Sequence, residues 1–122
     1  MKNAINWFEI PVKNFDNAKT FYEKILNTEM KRIDMMGMVC AFFPADLQQG
    51  VGGCIMQGPG YEPTDKGTIV YLNGGDDLNL VLNKVEGAGG KIILPKMAIG
   101  KNGFMAHFLD TEGNKVGLLS HA

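Results

Sequence analysis

Residues 4 to 12, AINWFEIPV, alternate in polarity. Phe8, Ile10 and Val12 share one face and Trp7, Glu9 and Pro11 the other, the period of a half-buried strand. Pro11 places the end of that strand near a sheet edge, because proline donates no ladder hydrogen bond. The next segment, KNFDNAKTFYEKIL, carries Ala18, Phe21, Tyr22 and Ile25 at helical spacing, with Asn14 or Asp16 as N-cap and a stop near Asn27. Residues 29 to 35 and 38 to 43 read as a hairpin around Met36-Gly37, and VGGCIM, 51 to 56, as a further strand. QGPGYEPTDKG then holds the densest glycine and proline punctuation in the chain and reads as a linker.

The pattern starts again after it. TIVYL, 68 to 72, is rich in β-formers. Asp76 stands as an N-cap before a helical face of Leu78, Val81, Leu82 and Val85, which GAGG closes. KIIL (91 to 94), 104 to 109 and 115 to 119 are strands, and DTEGN, 110 to 114, is the turn between the last two. Both halves therefore read strand, helix, strand, strand, strand, at an offset of about 60 or 61. Phe8, Ile10 and Val12 map near Thr68, Val70 and Leu72, and Phe21 near Val81 or Leu82. The expectation is an α+β fold of one domain over 1–122. Module one covers about 4–57, the linker about 58–67 and module two about 68–120. One helix covers one face of each sheet, and the other faces form a curved mixed-sheet cleft or open barrel with the helices outside. Such a cleft suits a small molecule.

Composition narrows the function classes. The chain has 122 residues, with 12 Lys and Arg against 13 Asp and Glu. Nucleic acid and anionic membranes select for excess positive charge, which is missing. No apolar run reaches the roughly 18 to 20 residues of a membrane span. The opening MKNAINWFEIPV lacks an apolar signal core, so the expected location is cytoplasmic. Cys40 and Cys54 are too few for a disulfide framework and show no CxxC spacing, so both are expected as free, buried, inert thiols. Gly52-Gly53 and Gly74-Gly75 do not make a phosphate loop: GGDD lacks the GxxxxGK[ST] pattern, and its carboxylates repel phosphate.

NWFEIPVKNFDNAKTFYEKIL, with Val12, Asp16, Ala18, Phe21 and Tyr22 at its strand-to-helix joint, resembles the opening of the glyoxalase/bleomycin-resistance/dioxygenase (vicinal oxygen chelate) superfamily. FLDTEGNKVGLL is similar to that family's closing hairpin. The resemblance spans essentially the whole chain and implies paired βαβββ modules, commonly assembled as homodimers. It also implies a divalent ion (Ni, Zn, Mg, Mn or Fe) held by His, Glu or Gln, one each from the first and last strand of each module. Those positions fall here on Trp7, on Cys54 or Met56, on Thr68 and on Gly117. Indole and glycine offer no metal-binding lone pair, Thr is weak, and a single Cys suits only a softer ion. The expectation is therefore a member depleted of metal ligands, with no cofactor.

Glu9 and His107 are the candidate catalytic residues. By alternation Glu9 shares the cleft face with Trp7, where a carboxylate can act as a general base; the alternative is a structural carboxylate paired with a Lys or backbone N–H. Met105, His107 and Leu109 share one face of their strand, and a His there can move protons near neutral pH; the alternative is a histidine satisfied by a polar neighbour. His121 reads as a solvated terminus. Trp7, Met56, Met105 and Leu119 form an apolar wall, completed as a substrate-binding set by Cys54 and Thr68; the same residues equally describe a core or a dimer interface. The preferred function is metal-free binding of a small, partly apolar molecule. The alternatives are a lyase, isomerase or dioxygenase that uses Glu9 or His107 or a relocated metal, and an interaction domain whose cleft is filled by its own side chains.

Overall fold

The computed structural model describes residues 2–122. β1 (Trp7–Pro11), α1 (Phe15–Leu26), β2 (Arg32–Met35), β3 (Met38–Phe42) and β4 (Gly52–Gln57) make the first module. β5 (Val70–Asn73), α2 (Asn79–Leu82), β6 (Lys91–Ala98), β7 (Phe104–Leu109) and β8 (Lys115–Ser120) make the second. Each is a four-stranded mixed sheet, ordered β1-β4-β3-β2 and β5-β8-β7-β6. In each, the first strand pairs in parallel with the last strand of its own module. The fold is α+β, and the two sheets do not close into a barrel. Among the described residues no helix is long and apolar enough to cross a membrane.

α1 forms where its sequence caps it. Asn14 Oδ1 accepts from Asn17 N–H at 3.1 Å, and Gln57 Oε1, at the end of β4, accepts from Phe15 N–H at 2.7 Å. Phe15, Ala18, Phe21, Tyr22 and Ile25 form its buried stripe. Asn27 ends it in the left-handed region, φ 50°, with its N–H turned back to Glu23 and Lys24. The hairpin turn at Met36 and Gly37 places both residues at positive φ, the geometry that matches the twist of flanking strands.

The second module repeats these fastenings. Val12 N–H donates to Met56 O, and Gly74 N–H donates to Leu119 O. Phe15 N–H donates to Gln57, and Leu78 N–H donates to Ser120 Oγ at 3.1 Å. The true offset is thus 62 or 63, and Phe8 and Ile10 correspond to Val70 and Leu72. The sequence pattern placed it two short because β-propensity begins at Thr68, whereas pairing begins at Val70.

Three further boundaries moved. The helix expected over Leu78 to Val85 is four residues long, Asn79–Leu82. Beyond it the chain continues in turns closed by Lys84 to Val81 and Val85 to Leu82 hydrogen bonds, which keep Leu78, Leu82 and Val85 buried without an α-helix. Asp76 does not cap this helix; Asp77 accepts from Asn79 N–H at 3.0 Å and from Lys96 Nζ at 2.8 Å. The strand expected at 91–94 runs on to Ala98, with two register shifts accommodating Pro95 on the sheet edge.

A single apolar cluster runs through both modules, from Ile10, Val12 and Ile55 through Phe21 and Tyr22 to Phe108, Val116 and Leu118. A buried polar hub sits at its edge. Asp110, 5% exposed, accepts from Tyr22 Oη at 2.6 Å, from Asn114 Nδ2 at 3.0 Å, and from the N–H groups of Glu112 and Asn114. Asn114 also donates to Pro11 O at 2.8 Å and accepts from Thr64 N–H at 2.9 Å. Glu112 accepts from the N–H groups of Lys13 and Asn14. One five-residue turn thereby ties the end of β1, the start of α1 and the linker to β7 and β8. Burial pushes the Asp110 carboxyl up against the pull of its donors, and burial with the nearby carboxylate holds the Tyr22 hydroxyl well above its ordinary value.

Hydrogen bonds to charged groups contribute about 1.5–3 kcal/mol. Tyr22→Phe keeps the packing and deletes one of them, so urea unfolding should show a loss of about 2 kcal/mol with an unchanged m-value. A variant as stable as the parent would show that this hub is not what fastens the modules.

Candidate functional site

The pairing of β1 with β4 puts Trp7 beside Gly52, Glu9 beside Cys54 and Pro11 beside Met56 on one face of the first sheet. The pairing of β3 with β4 adds Phe42 beside Cys54 and Cys40 beside Met56. Trp7 meets Phe42 edge-on, ring centroids 5.1 Å apart. A Cβ at Gly52 would meet the Leu47 side chain at 2.5 Å and the Trp7 ring at 3.3 Å, so the bare backbone there makes room for Leu47 first and for the indole beside it. Tyr61 reaches back from the linker and donates its hydroxyl to Glu9 Oε1 at 2.7 Å; that carboxylate raises the pKa of the phenol.

On the second sheet, β8 places Gly117 between Tyr71 of β5 and His107 of β7. A Cβ on Gly117 would stand 2.4 Å from the Tyr71 ring. Its absence lets that ring lean across the strand, and Tyr71 Oη lies 2.6 Å from His107 Nε2. Burial, then the Lys115 charge, lower the pKa of His107 below 6.5, so the imidazole is neutral at pH 7. Met105 pairs with Leu119 further along the same face.

Between the inner edges β1 and β5 lies a cavity of about 700 Å³. Ile5, Trp7, Phe8, Val51, Ile69 and Tyr71 supply apolar walls, and Glu9, Thr68 and Asn73 the polar groups. Of the residues singled out from the sequence, Trp7, Glu9 and Thr68 line it. Cys54 and Met56 share the face of Trp7 and Glu9 but lie buried beneath the surface. His107 reaches the cavity only through Tyr71, so Glu9 and His107 are not neighbours in one site. Met105 and Leu119 lie on the second sheet outside the cavity, and His121 is exposed beyond β8. Burial, then Cys40 and Glu9, push the Cys54 thiol up to about 12, which leaves it protonated and a poor nucleophile at neutral pH.

Two site residues escaped the sequence reading. Tyr71 was legible: it alternates with Val70 and Leu72 and so must face away from the core. Tyr61 was not, because it sits in a loop without periodicity and meets Glu9 only through the tertiary fold.

The divalent ion implied by the family resemblance does not fit these residues. Trp7 packs its ring on Phe42, Gly117 is a slot for Tyr71, and Cys54 is a buried thiol. Among the described residues no three His, Cys, Asp or Glu side chains cluster as an ion site.

The family model for the Glyoxalase/Bleomycin resistance protein/Dioxygenase superfamily matches residues 4–118. No curated protein matches the sequence. Among solved structures, a glyoxalase/bleomycin resistance protein from Albidiferax ferrireducens T118 superimposes with a TM-score of 0.77 at 14% identity, covering 98% of this chain and 100% of that one. A glyoxalase I mutant from Zea mays gives a TM-score of 0.69 at 23% identity, covering 95% of this chain and 46% of that one. This chain thus spans less than half of the maize protein. The fosfomycin resistance protein FosX from Listeria monocytogenes gives 0.65 at 14% identity, covering 100% and 93%. Identities this low carry the fold alone.

Gly117→Ala should drive the Tyr71 ring off His107. Proton NMR should then show His107 titrating nearer its ordinary 6.5 than in the parent, where it titrates below that value. Above 6.5 both folded and unfolded states hold a neutral ring. Parent stability should therefore fall as pH drops from 6.5 toward the lower folded pKa, the window in which the unfolded chain gains its proton and the folded chain does not, and level off below it. An unchanged His107 titration in the variant would remove the slot role assigned to Gly117.

Proposed function

This chain belongs to the Glyoxalase/Bleomycin resistance protein/Dioxygenase superfamily, and from that premise we propose that it binds a small, partly apolar molecule between β1 and β5 without a divalent metal. The observation that carries this reading is the cavity of about 700 Å³ with Trp7 and Tyr71 as aromatic walls and Glu9, Thr68 and Asn73 as its few polar groups. That volume and lining suit a small organic ligand. The aromatic walls bury its apolar body, Glu9 orients a hydroxyl or amine, and Tyr61 fixes the Glu9 carboxylate. Trp7 and Gly117 at the ligand positions favour sequestration over metal-assisted chemistry.

A second copy of the chain is the protein partner in this reading. Tyr71, Met97 and Leu119 are exposed on the open face of the second sheet, 43%, 45% and 39% respectively, an apolar surface suited to pairing.

Trp7 is the only tryptophan, so its fluorescence reports directly on the cavity. Titration with an apolar aromatic anion such as anilinonaphthalene sulfonate should quench it, and Trp7→Ala should weaken binding of the probe roughly tenfold, a loss of about 1.4 kcal/mol. Elemental analysis of the same purified protein should find Ni, Zn, Mn, Mg and Fe far below one per chain, and sedimentation should find a dimer. Binding indifferent to Trp7→Ala, or a stoichiometric divalent ion, would overturn the reading; a monomer would remove its dimeric part.

The Tyr71–His107 contact favours one other reading, a lyase, isomerase or dioxygenase of the same superfamily. A neutral imidazole 2.6 Å from a phenol that faces the cavity can relay a proton to or from a bound molecule. Glu9 is the alternative base. This reading requires turnover whose pH profile shifts in Tyr71→Phe or is lost in Glu9→Gln. Turnover indifferent to both changes would dismiss these residues as its acid and base.

A further inference from the structure

A small cluster separate from the main core holds Cys40, Cys54 and Met56, with Met38, Phe42 and Tyr61 packed against it. The strand register explains why three sulfurs converge. Cys40 stands directly opposite Met56, and Cys54 lies two residues before Met56 on the same face. Cys40 and Cys54 are therefore diagonal neighbours across β3 and β4. Both are buried, at 0% and 1% exposure, and they pack with Met56 in this one cluster.

A disulfide does not suit this placement. Diagonal Cα pairs in an antiparallel sheet lie about 7–8 Å apart, beyond the roughly 7 Å that a disulfide spans without backbone movement. A bridging ion does suit it, since two metal–sulfur bonds of about 2.3 Å each reach further than one sulfur–sulfur bond. We propose that Cys40, Cys54 and Met56 form a binding site for one thiophilic monovalent ion of the copper(I) and silver(I) class.

The donor set selects the ion. Thiolate and thioether are soft ligands, and soft ligands favour copper(I) over hard divalent ions. The apolar surroundings select the charge. One cysteine releases its proton to solvent and forms the S–M bond, and thiolate with monovalent cation is neutral as a pair. A divalent ion would need both buried thiols deprotonated beside the Glu9 carboxylate to reach the same neutrality, and a fourth ligand that Phe42, Met38 and Ile33 do not offer. Entry has a route. Tyr61, which covers the cluster, belongs to the linker, and its hydroxyl is held by a single bond to Glu9. Trp7 packs on Phe42, which stands opposite Cys54, and this puts a fluorophore beside the site.

The test uses the reduced, full-length protein without oxygen. It is titrated with silver(I), and separately with copper(I) buffered by bicinchoninate, and read by native mass spectrometry and Trp7 fluorescence. One ion per chain is expected, with quenching of Trp7 and a rise in Tm. Cys40→Ser and Cys54→Ser should each weaken uptake by roughly a hundredfold or more, since even supporting residues of metal sites contribute 10–100-fold. Met56→Leu keeps the side-chain volume and tests the thioether where a cysteine variant fails to fold; it should weaken uptake about tenfold and shrink the Tm rise. No uptake in competition with bicinchoninate, uptake unchanged in all three variants, or equal uptake of zinc(II) would overturn the site.

Discussion

The carboxylate of Asp110 organises the molecule. It is buried at the edge of the core and would be costly there without donors. It receives four, from Tyr22, from the Asn114 side chain and from two backbone N–H groups. Tyr22 belongs to α1 of the first module, while Asp110 and Asn114 belong to the closing turn of the second. The charge can be buried only if the modules meet in one arrangement, so the hub specifies geometry as well as contributing stability. The hub also reaches the first wall of the cavity, because Asn114 donates to Pro11 O at the end of β1.

The internal repeat shows what a pattern of apolar positions can and cannot encode. Alternation in AINWFEIPV and the helical spacing of Ala18, Phe21, Tyr22 and Ile25 were legible because each is a local consequence of burial on one face. The short α2 was not. Leu78, Leu82 and Val85 keep helical spacing and are buried, but tight turns satisfy the same spacing, and only hydrogen bonding distinguishes the two. The recurrence that survives best is polar: Gln57 to Phe15 and Ser120 to Leu78 fasten the last strand of each module to its helix start. Each is the last residue of its six-residue strand, but Gln and Ser differ in length and chemistry, so no residue identity announced the equivalence.

The site was legible in part for a similar reason. Alternation puts Trp7 and Glu9 on one face of β1, the family resemblance makes that the cleft face, and in the structure both residues line the cavity. Glu9 and His107 were each read as facing a cleft, but a face is not a neighbourhood. Only the fold shows that Glu9 lines the cavity directly and that Tyr71 intervenes before His107. Gly117 carries the sharpest contrast. As a residue it is a missing ligand; in the structure it is the space that an aromatic ring occupies.

The two walls of the cavity are not equally stiff. β1 pairs with β4 through five residues and is pinned at its end by Asn114, with a twelve-residue helix behind it. β5 pairs with β8 through four, and behind it stand a single α-helical turn and a series of tight turns. On the proposed reading, a guest larger than the resting volume would displace Tyr71 and its strand before Trp7 and its own. The cavity would then work as a fixed anvil with one yielding jaw, its tolerance for guests of different girth lodged in the second half of the chain.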